Sequence, residues 1–121
     1  MKTIIAGSRG INDFAVVLDA IARAREDQEI KITEVVSGGA LGVDRMGERY
    51  AAQVALPVKQ FLPDYERHKR AAPLIRNHEM GQYADALIAI WDGMSRGTEH
   101  MISTARKRGL KVYVHLVGGF S

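Results

Sequence analysis

Ala86-Leu87-Ile88-Ala89-Ile90-Trp91 runs directly into Asp92-Gly93-Met94-Ser95-Arg96-Gly97-Thr98. An unbroken apolar run of this length, closed by a loop of glycine and hydroxyl residues, predicts a strand covered on both faces. That is the condition of a parallel sheet. Beyond the loop, Thr98, Met101, Ile102 and Ala105 recur at helical spacing, and the helix should stop at Gly109. The unit is strand, small-residue loop, helix.

The same unit recurs in both directions. Upstream, Thr3–Ala6 is a short apolar strand closed by Gly7-Ser8-Arg9-Gly10. It is followed by a helix with Phe14, Val17, Leu18 and Ile21 on one face, Asn12 or Asp13 as its cap, and a charged end over Arg23–Glu29. Ile32–Val36 is a second strand, stopped by Ser37-Gly38-Gly39-Ala40. A helix carrying Val43, Met46, Tyr50, Ala51 and Val54 comes next, then a shorter third strand over Pro57–Leu62. Pro63–Ala72 is the least regular stretch, with room for a short polar helix. Pro73 suits the first turn of a helix reaching about Tyr83, where its missing N–H costs nothing. Val112–Val117 is the last strand, and Gly118–Ser121 a tail. Strands separated by helices predict an α/β fold in three layers: a five-stranded parallel sheet with right-handed crossovers and helices on both faces. The expected order is 3-2-1-4-5, because a doubly wound sheet needs a switch point and the first and fourth strands are its natural neighbours.

The chain has 121 residues, 46% of them apolar and 26% charged, which suits a single globular domain over 1–121. There is no cysteine, which excludes a disulfide framework, a thiol nucleophile and a thiolate zinc site. That agrees with a reducing, cytoplasmic location. The opening residues enter a strand at once and carry no signal-peptide pattern. No apolar stretch approaches the roughly 18 residues of a spanning helix, so no membrane partner is expected. The net charge of +3 is mild. Its densest runs, Arg67-His68-Lys69-Arg70 and Arg106-Lys107-Arg108, read as solvated helix faces and cations near a helix end, with a phosphate-attracting field as the alternative.

In open parallel sheets, ligands bind beyond the carboxyl ends of the strands. The three loops Gly7–Gly10, Ser37–Gly42 and Gly93–Thr98 should all lie there. Glycine lets backbone approach an anion, helix N-termini supply free N–H groups, and Ser or Thr hydroxyls add donors. This predicts phosphate binding, most of all at the last loop. None of the three is a Walker loop, and Gly7-Ser8-Arg9-Gly10 lacks the dinucleotide spacing. Arg76 and Asn77 fall early in the helix that Pro73 opens, where an arginine forks onto phosphate or makes a surface ion pair. Asp44, in the first turn of its helix, either stabilises the helix dipole or reaches a ribose hydroxyl. Trp91 stacks on a base or packs in the core. His68, His78, His100 and His115 have no metal-site spacing, and Thr33, Ser103 and Thr104 no nucleophile elbow. Neither metal nor cofactor is expected.

The motifs Ser37-Gly38-Gly39-Ala40-x-Gly42-Val43-Asp44, Arg76-Asn77-x-x-Met80 and Trp91-Asp92-Gly93-x-Ser95-x-Gly97-Thr98, with Gly7-Ser8-Arg9 and Ala84-Asp85-x-Leu87-Ile88, resemble the SLOG superfamily. The small single-domain branch related to the YspA and YpsA proteins is the most similar. The resemblance implies a modified Rossmann fold that binds a nucleotide or nucleotide-derived phosphate ligand. It also implies a bacterial or phage setting. The ligand residues it implies are Gly7, Ser8, Arg9, Ser37, Gly38, Gly39, Ala40, Asp44, Arg76, Asn77, Trp91, Asp92, Gly93, Ser95, Gly97 and Thr98. Related LOG enzymes cleave nucleoside 5′-monophosphates, and their arginine matches Arg76. Their glutamate falls on Met101, with Glu99 about 200° away around the helix. Cleavage would therefore need another acid, Asp44 first and Asp92 or Glu48 after it, with Arg76 as its partner. Three readings stay open: a binding or sensing domain, an N-glycosidase, and, through the DprA-like relatives, a single-strand-binding module touching the backbone with Arg67–Arg70. The expected partner is a small nucleotide-derived molecule, the expected assembly a homodimer; nucleic acid is the least favoured partner.

Overall fold

The computed structural model describes residues 1–118; residues 119–121 of the expected tail lie outside them. The strands are β1 (Lys2–Gly7), β2 (Glu34–Ser37), β3 (Val58–Gln60), β4 (Ala86–Trp91) and β5 (Lys111–Leu116). The helices are α1 (Phe14–Gln28), α2 (Val43–Gln53), α3 (Tyr65–His68), α4 (Ala72–Tyr83) and α5 (Arg96–Lys107), with a 3₁₀ turn at Lys69–Ala71 between α3 and α4. The sheet is all parallel in the order β3-β2-β1-β4-β5, as expected from the alternation and the switch-point argument.

Alternation along the strands builds two cores. Ile5, Val35, Ile88 and Ile90 face α1 and α2, meeting Val17, Ile21, Val43 and Ala51. Ile4, Ala6, Val36, Leu87 and Ala89 face the opposite way, meeting Met80 of α4 and Met101, Ile102 and Ala105 of α5. The central strands β1 and β4 are paired from Thr3↔Ala86 to Gly7↔Ile90, so both carry apolar residues on each face. Each of the fully buried residues Leu87, Ile88 and Ile90 stabilises the fold by about 1.5–3 kcal/mol.

The margins differ from expectation for physical reasons. β2 begins at Glu34 rather than Ile32, because the residues before it are tied to the chain start: the Met1 ammonium donates to the Lys31 carbonyl at 2.8 Å and Thr33 N–H to the Met1 carbonyl at 3.0 Å. β3 is only Val58–Gln60, an exposed edge strand paired with β2 alone. Asp13 is the cap of α1, accepting from Ala15 N–H at 3.0 Å. Leu18 and Val54 stand partly in solvent, so the apolar stripes of α1 and α2 are narrower than the spacing suggested. The irregular stretch does hold a short polar helix, α3, and neither it nor the 3₁₀ turn buries a residue. Among the described residues, no helix is long and apolar enough to cross a membrane.

Candidate functional site

Parallel strands deliver every strand-to-helix loop to one edge of the sheet. There, the loops after β1, β2, β3 and β4 and the first half of α4 enclose a cleft of about 430 Å³.

The loop after β4 is held open by its own side chains. Asp92 Oδ1 accepts from the backbone N–H of Met94 and of Ser95, both at 2.8 Å. These two bonds hold its carboxyl below the ordinary carboxylate range. Ser8 Oγ accepts from Asp92 N–H at 3.1 Å and shares a hydrogen bond with Ser95 Oγ at 2.8 Å; Ser95 Oγ in turn donates to Thr98 Oγ1 at 3.1 Å. A row of hydroxyls thus joins β1's loop to the start of α5. Ser95 occupies the cap position of α5, yet its side chain caps no backbone N–H. The first intrahelical bond is from Glu99 N–H to the Ser95 carbonyl, which leaves the N–H groups of Arg96, Gly97 and Thr98 without helical partners. Gly97 has nothing within 4 Å of where a Cβ would stand.

The loop after β2 is tied inward. Ser37 Oγ accepts from Gly39 N–H at 3.1 Å and donates to Glu48 Oε2 at 2.6 Å; Glu48 is also held by Gln60 at 2.8 Å. Gly42 enters α2 at φ 84°, against the carbonyl oxygen of Arg9, which a Cβ would meet at 2.7 Å. Asp44 is buried, accepts from Ala40 N–H at 3.3 Å, and has its pKa pushed up to about 6 by desolvation, which outweighs the Ala40 hydrogen bond and the nearby Arg76 charge. Arg76 donates through Nη1 to the Gly38 carbonyl at 2.7 Å and through Nε to Asn77 Oδ1 at 3.1 Å. Asn77 is oriented from its other end by the Gly97 carbonyl (3.4 Å) and His100 Nδ1 (3.0 Å). Burial, with His78 and Lys107 nearby, lowers the pKa of His100, which favours the neutral ring that accepts from Asn77.

Gly7, Ser8, Arg9, Gly38, Gly39, Ala40, Asp44, Arg76, Asn77, Ser95, Gly97 and Thr98 all line the cleft. Ser37, Trp91, Asp92 and Gly93 do not. Ser37 and Asp92 shape their loops. Trp91 donates from Nε1 to the Ser95 carbonyl at 3.0 Å and borders a separate hollow on the outer side of α5, where Glu99 also lies. Met101 lines the cleft at the position where a carboxylate was sought. Sequence reasoning missed Leu41, Leu62, Pro63 and Tyr65, which form a further wall. Their signal was apolar side chains in the two loops that flank the β3 edge.

The family model described as the YspA, cpYpsA-related SLOG family matches residues 1–68, more than half of the chain. The chain belongs to this family. The SLOG match runs from β1 through α3 and so includes the loops after β1 and β2 and Asp44; Arg76 and the start of α5 lie beyond it. No curated protein and no solved structure matches the chain. Membership of the SLOG family points to nucleotide-related binding or activity. Among the described residues, no group of three His, Asp or Glu side chains could hold a metal ion.

Proposed function

We propose that the cleft binds a nucleotide or nucleotide-derived molecule, with its phosphate at the start of α5. The observation that carries this reading is the unpartnered N–H groups at the start of α5, beside the hydroxyl row, where Gly97 and Thr98 line the same cleft as Arg76. A helix N-terminus with free donors stabilises an anion by both hydrogen bonding and its partial positive charge. Arg76 lines the cleft and spends Nε and Nη1 on the protein, while Nη2 makes no hydrogen bond to protein among the described residues and has donors to offer. Calorimetric titration with the common nucleoside 5′-monophosphates tests the reading. Saturable heat is expected, and no heat with any of them at millimolar concentration would rule it out.

A second reading is supported by Asp44. A carboxylic acid buried in the cleft wall beside an arginine, with a pKa near 6, is poised to exchange a proton near neutral pH. If the bound nucleoside 5′-monophosphate is cleaved, Asp44 is the acid, since Met101 has no proton to offer and Glu99 faces the other side of α5. Base release measured by chromatography should then fall about 10²-fold in Asp44→Asn. Absence of base release in the unmodified protein leaves the binding reading alone.

A further inference from the structure

We propose that Leu41, Leu62 and Tyr65 form the subsite for the ligand's base, an inference that rests on the phosphate reading above. The sheet order sets the frame. The loops bearing these residues follow β2 and β3, while the phosphate end follows β4 on the far side of β1. Three strand spacings separate β3 from β4, about 14 Å at ~4.8 Å each, a span that suits one nucleoside monophosphate laid across the strand ends. Along that line the cleft changes character. It begins with the hydroxyls of Ser8, Ser95 and Thr98, and passes Asp44 and Arg76, which meet over Gly38: a Cβ there would stand 2.5 Å from Arg76 Nη1 and 2.8 Å from Asp44 Oδ2. It ends at Leu62, whose Cδ2 overhangs Gly39.

The three residues have no use in the core. Leu41 is 60%, Leu62 61% and Tyr65 59% exposed, and α3 buries nothing at all. Large apolar side chains left in water yet gathered on one wall of a cleft are the mark of a ligand surface. A base has two apolar faces and stacks on an aromatic ring or an aliphatic side chain, whereas ribose and phosphate gain nothing there. Trp91, the other candidate for stacking, packs against the core beside α5, borders a hollow other than the cleft and is bonded to the Ser95 carbonyl. The polar groups sit where phosphate and sugar would lie, and the apolar groups where the base would.

The test compares two probes that share a phosphate and differ in the base: adenosine or guanosine 5′-monophosphate against ribose 5-phosphate, each titrated into the unmodified protein and into Leu62→Ala/Tyr65→Ala. Both positions are more than half exposed, so the variant should keep its thermal unfolding midpoint, which is measured alongside. The unmodified protein should bind at least one nucleotide about tenfold more tightly than ribose 5-phosphate, the scale of one stacked base. In the variant that ratio should fall towards one while ribose 5-phosphate binds as before. A ratio that survives the double substitution overturns the proposal, as does an equal loss for both probes. Equal binding of nucleotide and ribose 5-phosphate by the unmodified protein keeps the phosphate site and refutes the base subsite. Binding of neither removes the phosphate reading, and the base subsite with it.

Discussion

The loop after β2 and the loop after β4 are made of the same materials, small residues, glycine and serine, and both lead into a helix. The first spends its polar groups on itself. Ser37 bonds Gly39 and Glu48, Asp44 bonds Ala40, and the Gly38 carbonyl is taken by Arg76. In the second, the backbone bonds stop at Ser95, and the next three N–H groups have no helical partner, with Gly97 and Thr98 lining the cleft. The first loop positions charged side chains and the second presents donors. Glycine-rich composition is common to both and does not separate the roles; hydrogen-bond bookkeeping does.

Breaking each loop at its own weak point sharpens the contrast. The largest effect is expected at Asp44, where the inward-tied loop carries its cost. Its pKa is raised in the folded protein to about 6, against about 4 unfolded. Between those values the folded state holds a proton that the unfolded state has lost, so stability falls as pH rises through that window and stays reduced above it. Asp44→Asn should remove this loss, leaving the variant more stable at pH 8 by about 3 kcal/mol at most, with little difference at pH 4. Denaturant unfolding at the two pH values measures it, and a gain that is the same at both would contradict a buried, protonatable Asp44.

The donor-presenting loop should fail in the opposite way. Gly97→Leu should leave the unfolding midpoint unchanged, because no atom stands near the new Cβ. Its side chain should push the phosphate off the N–H groups and weaken nucleoside monophosphate binding by about 100-fold, the scale of one or two hydrogen bonds to a charged group. Undiminished affinity would take the start of α5 out of the site. Gly42→Ala, in the inward-tied loop, should instead cost about 1–3 kcal/mol of stability, since φ is 84° and the Arg9 carbonyl is 2.7 Å from the new Cβ. An unfolding curve matching the unmodified protein would show that this loop has slack.

The smallest effect is expected for Arg76→Lys. A lysine keeps the charge but cannot hold the Gly38 carbonyl and Asn77 while also reaching a phosphate. Affinity should drop about tenfold, with Arg76→Ala weaker still. Equal affinity in all three proteins would show that Arg76 only braces the loop after β2.

The strand order is an expectation of the fold class rather than of any residue, but the repeated strand-loop-helix punctuation determined the layers, the parallel sheet and the edge on which the loops gather. These follow from local patterning and the handedness of crossovers, which act on any chain with that alternation. Local chemistry also marked a cap at Asn12 or Asp13 and Pro73 as a helix opener. Tertiary structure alone decided the direction of each polar side chain. Ser37 carries the same hydroxyl as Ser95 and Asp92 is an acceptor, yet both turn into their own loops and accept from backbone N–H groups there. Trp91 packs against the core under α4 and α5 because the strand's alternation, continued past Leu87 and Ala89, puts it on that face of the sheet. Leu62 and Tyr65 reach the cleft only because β2 and β3 pair and bring a polar, irregular stretch beside Gly39. No periodicity within that stretch encodes its neighbour, since the contact is made between loops that follow different strands.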